Sequence, residues 1–113
     1  MKRITIFASI LLFIVIFSSG AAAGNNHLID AIQHTQRAVK SLDSNDVAKH
    51  AQIAKIHANA AKIDNYNKQM DDGINSLDEA IKEGNYGNVE AAREAAKYAL
   101  KYFTQAIQIK PIS

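Results

Sequence analysis

The chain has 113 residues, no cysteine, and 13 basic against 11 acidic residues. Without thiols it can carry neither a disulfide framework nor a cysteine-linked lipid, so its stability must come from helix packing, with a bound ligand as the other source of help. Lys2 and Arg3 account for the whole net charge of +2, and the rest of the chain balances to zero. The +2 therefore argues nothing about nucleic acid or an anionic membrane surface, and no nucleic-acid partner is expected.

The amino terminus has the pattern of an export signal. Two basic residues precede an apolar run from Ile4 to Phe17, interrupted only by Thr5 and Ser9, and Ala21-Ala22-Ala23 supplies a small-residue cleavage site. Cleavage after Ala23 is expected, which divides the chain into a signal peptide, 1–23, and a single helical domain, 24–113. Extended through Ala23, the run also reaches the ~20 residues of a spanning helix, so a retained anchor is the alternative. Either way the domain is expected outside the cytoplasm, periplasmic or secreted, with no membrane contact once the signal is removed.

Four helical segments follow. The first carries Leu28, Ile32, Val39 and Leu42 on one face, with Ile29 at its edge. In the second, Val47, Ile53, Ile56 and Ile63 stand among six alanines, a broad apolar arc. Met70, Ile74, Leu77 and Ile81 form the cleanest stripe, in the third. The fourth has Val89, Ala92, Ala96, Ala99, Leu100, Phe103, Ala106 and Ile107. Polar breaks at Asp43–Asp46, Asp64–Asn67 and Gly84–Asn88 supply caps and turns, and Pro111 closes the last helix. Short connections make antiparallel neighbours, so the expected fold is all-α, an up-down-up-down four-helix bundle. Ala38-Val39-Lys40 and Ala80-Ile81-Lys82 match between the halves, which points to two similar helical hairpins.

All four histidines fall in the first hairpin. His27 and His34 are seven apart, as are His50 and His57, so each pair keeps to one helix face. Across an antiparallel hairpin, residues near one height have position numbers of constant sum. His27 with His57 and His34 with His50 share the sum 84, which predicts two rungs with one imidazole from each helix. Neutral imidazole suits Cu²⁺, Ni²⁺ or Zn²⁺, and Asp30 and Asp46 are candidate helpers beside the rungs. The bland alternative is that His27 and His34 are surface polar groups while His50 and His57 are packing residues.

Weaker constellations read as structure. Tyr98 and Tyr102 fit the core edge, Met70 lies in an apolar stripe rather than at a haem, and the acidic residues of the third segment lack EF-hand spacing. No thiol or serine elbow supports nucleophilic catalysis, so no enzyme is expected.

His-x6-His in alanine-rich hairpins behind a signal peptide resembles the periplasmic small metal-binding protein family. The matching stretches run from His50 to His57, from Gly73 to Lys82, and Gly87-Asn88-Val89. The resemblance covers nearly the whole mature chain and implies a histidine-rich four-helix bundle that binds several divalent metals, copper prominently. By the family's rhythm, histidines would also fall at Gln69, Asp72, Ser76, Glu83, Asn88, Ala95 and Tyr102, and none is present. The resemblance therefore carries over His27, His34, His50 and His57 only, with a capacity of one or two ions. The rival reading is a helical structural, interaction or stress-related protein that has lost metal binding. The broad apolar arc of the second segment and the tail at Ile109 and Ile112 favour it.

Overall fold

Turn chemistry decides where each helix starts. The structure, a computed structural model, describes residues 26–108; the signal segment, Pro111, Ile109 and Ile112 lie outside them. Helix α1 spans Asn26–Lys40, α2 Ser44–Asp64, α3 Lys68–Asn85 and α4 Val89–Gln108. Among the candidates in the first polar break, Asp43 is the cap of α2. Its backbone is extended, and its carboxylate accepts the Asp46 N–H at 3.2 Å. Asn67 caps α3 in the same way, accepting from Met70 N at 3.2 Å. Such a cap is worth ~1 kcal/mol because it satisfies a helix-end donor that has no partner within the helix. Between α3 and α4 the chain turns at Gly87, whose φ of +89° an L side chain would resist.

The helices form an up-down-up-down four-helix bundle, each packed on its chain neighbours, with α4 closing back on α1. No helix among the described residues is long and apolar enough to cross a membrane. Arg93 ties the ring shut, its Nε donating at 2.8 Å to the carbonyl of Val39 near the end of α1. That contact satisfies one of the carbonyls α1 leaves without an intrahelical partner.

Most of the buried apolar residues are alanines, joined by Leu28, Ile32, Val47, Met70, Ile74, Leu77 and Phe103. Small side chains let the helix axes approach closely, and one large residue then fills the centre. That residue is Phe103, fully buried. Gly73 makes room for it, since a Cβ there would run into the ring of Phe103.

The predicted stripe of α3 is buried as expected, with Ile81 at its edge. The expectation differs at α1 and α2. Leu42 falls in the turn beyond α1 and is 83% exposed. In α2 the buried residues are Val47, Ala48, Ala51, Ala54, Ala58 and Ala61, whereas Ile56 and Ile63 face outward. This helix is apolar on two sides, and the bundle can use only one. Burying the alanine side also turns Lys55 and Lys62 toward α3, where they meet Asp78 at 2.7 Å and Asp71 at 2.8 Å. The same rotation presents His50 and His57 to α1.

Candidate metal centre

The geometry of the first hairpin follows from its turn. The break between Lys40 and Ser44 is centred near residue 42, so positions level with one another sum to about 84. Both histidine pairs have that sum and face each other as rungs. The His57 ring nevertheless lies close to His34 as well as to its rung partner His27. The four imidazoles consequently form one zigzag, in the order His27, His57, His34, His50. Successive ring centroids are 5.5, 5.8 and 5.9 Å apart.

At the outer end, the Nδ1 atoms of His27 and His57 face each other at 3.3 Å. Either one ring donates to the other, or both direct lone pairs at a shared cation. Asp30 stands beside them, its Oδ2 3.8 Å from His57 Nδ1. One ligand atom from each of His27, Asp30 and His57 lies within 4.8 Å of the other two. Asp30 reaches this group because it follows His27 by three residues and so shares its helix face.

The inner pair differs. The Nδ1 atoms of His34 and His50 are buried and have no hydrogen-bond partner among the described residues. Burial, and after it the Arg37 guanidinium, holds the His34 imidazole below its ordinary pKa; His50 and His57 act in the same direction, and Asp30 opposes them. His50 is lowered by burial and then Arg37, with Asp46 opposing. Both rings are thereby kept in the neutral form that a metal requires. Arg37, however, repels an arriving cation at this end, whereas Asp30 attracts one at the other.

The structure thus brings His27, Asp30 and His57 together and sets His34 and His50 directly below. Asp46 is not in the three-ligand group; it is exposed, its backbone N–H bonds the Asp43 cap, and it touches the ladder only through its charge on His50. Two features escaped the sequence reading: that the His57 ring lies near His34 as well as His27, and that the Arg37 charge acts on the inner pair. Both needed the side-chain paths.

In the second hairpin, the places where further histidines were expected serve the fold instead. Ala95 is buried, and Glu83 accepts a hydrogen bond from Asn88 at 2.8 Å. The donor chemistry fits a borderline divalent ion, because imidazole nitrogens with one carboxylate are its usual ligands. Two ligands on one tetrahedral ion at ~2.05 Å lie ~3.3 Å apart, which the His27–His57 separation matches without movement.

A four-helix bundle with histidines ranked between two of its helices presents the donor groups of a metal-holding bundle. The family described as small metal-binding protein matches residues 1–106, and the chain belongs to that family. No curated protein matches it at a significant level.

Proposed function

We propose that the protein is exported and takes up a divalent ion, Cu²⁺, Ni²⁺ or Zn²⁺, between α1 and α2. His27 and His57 are the first ligands and Asp30 the third. His34 and His50 form an adjoining, weaker position that takes a second ion or lends a ligand to the first. The remaining coordination positions are left to water. Such an open site exchanges its ion readily, which suits buffering better than a permanent structural metal. The observation that carries this reading is the 3.3 Å separation of the His27 and His57 Nδ1 atoms with a carboxylate beside them. Family membership supports it independently.

Calorimetric titration of Cu²⁺ into the untagged protein tests the ligand assignment. Loss of the binding heat in a His27→Ala/His57→Ala variant is expected, and heats equal to those of the wild type would reject it. Export rests on the amino-terminal pattern of charge, apolar run and alanine site. Intact mass of the protein accumulated by its host tests it, with loss of residues 1–23 as the expected result. A second reading, a bundle that works by contact with another macromolecule, is favoured by the isoleucines exposed on α2.

A further inference from the structure

The side of α2 opposite the alanine face carries Ile53, Ile56, Ala60 and Ile63, spaced three, four and three apart. Ile56 and Ile63 are 64% and 84% exposed, and Ile53 and Ala60 are half-buried. That spacing is the a/d seam of a coiled coil, turned to solvent. Uncharged Gln52 and Asn59 border it, both exposed. Lys49 stands at one end and Asp64 at the other, exposed and without an ion pair among the described residues. The remaining lysines of the helix, Lys55 and Lys62, are engaged by α3.

We propose that this face of α2 is a self-association surface, on which a second copy of the chain packs antiparallel about a two-fold axis near residue 58. In that register Ile53 meets Ile63 of the second copy and Ile56 meets its Ala60. All four apolar layers are filled. Lys49 of each copy then stands three residues, ~4.5 Å, along the axis from Asp64 of the other, a gap its long side chain spans to form an ion pair at each end. A parallel arrangement would set Lys49 against Lys49 and Asp64 against Asp64, and like charges there oppose it. The seam is thus self-complementary in one orientation only, as an isologous interface must be.

Sedimentation analysis of the protein purified from full-length expression tests this, with chelator present so that metal bridging plays no part. A concentration-dependent monomer–dimer equilibrium is expected between about 5 and 500 µM. Ile56→Glu, which removes apolar area and adds charge at the centre, should weaken the dimer by about 30-fold. Lys49→Glu should weaken it too, and adding Asp64→Lys should restore it. Since the chain has no cysteine, Asn59→Cys, next to the axis, should cross-link two copies by a single disulfide. A wild type that stays monomeric throughout this range overturns the proposal. So does a dimer indifferent to Ile56→Glu, or a monomer that binds neutral lipid vesicles instead.

Discussion

The ring of His57 lies nearly parallel to that of His34, 6° between planes and 5.8 Å between centroids, although the two were expected on different rungs. His57 also faces His27 at 3.3 Å between Nδ1 atoms. The two halves of the ladder thus meet at His57 and His34, and of these two only His57 also belongs to the close Nδ1 pair. Replacing His57 should damage metal binding more than replacing His50 at the inner end. We expect His57→Ala to lower Cu²⁺ affinity at least tenfold further than His50→Ala, a difference of ~1.4 kcal/mol. Parallel calorimetric titrations of the two variants would show it, and equal affinities would mean two independent rungs.

Acid should destabilise the metal-free bundle through the inner pair. His34 and His50 are both held below the ordinary histidine pKa, chiefly by burial. Between the lowered folded value and the unfolded value near 6.5, the unfolded chain binds more protons, so stability rises with pH across that window. It is fully regained above ~6.5 and lost as pH falls below it. The melting temperature in chelator should accordingly be lower at pH 5 than at pH 7.5. His34→Gln should flatten that dependence, since it removes one of the two half-buried titrating rings.

Gly73→Ala pits two effects against each other. Alanine gains about 1 kcal/mol in helix propensity over glycine. Its Cβ, however, meets the ring of Phe103, which is fully buried and cannot withdraw. Overpacking of this kind costs ~1–3 kcal/mol, so a net loss is expected. Urea denaturation should show a lowered midpoint with an unchanged slope. Combining the change with Phe103→Leu, which frees space at the ring, should recover part of the loss.

The architecture was readable because the breaks have unambiguous chemistry. Asp43 and Asn67 cap where polar clusters interrupt the apolar period, and the four-three-four spacing from Met70 to Ile81 admits one buried face. Orientation of α2 was harder to foresee. Hydrophobicity ranks Ile56 and Ile63 above Ala54 and Ala58, yet close helix approach and the Lys55–Asp78 and Lys62–Asp71 pairs turn the alanines inward. The rungs of the histidine ladder were legible from spacing and the closeness of His57 to His34 was not, because constant sums fix heights along an axis while side-chain rotamers set where each ring lies. Asp30 and Asp46 looked equivalent by spacing alone. Only the position of each relative to the ladder's ends separates them.

That separation can be measured. Asp30 offers a carboxylate oxygen to the His27–His57 pair, whereas Asp46 stands at the first turn of α2, outside the three-ligand group. Asp30→Asn keeps the size of the side chain but removes a negative charge and a ligand from the site. It should weaken Cu²⁺ binding on the order of tenfold, ~1.4 kcal/mol, while leaving thermal stability in chelator close to the wild type. Asp46→Asn should leave affinity within about twofold, since its charge acts only on His50, at the far end of the ladder. Titrations of both variants at low and high ionic strength distinguish ligation from long-range attraction. A ligand's loss persists in salt, and a merely electrostatic helper's effect is screened away. Equal losses for Asp30→Asn and Asp46→Asn would place the ion between the rungs rather than at the outer pair.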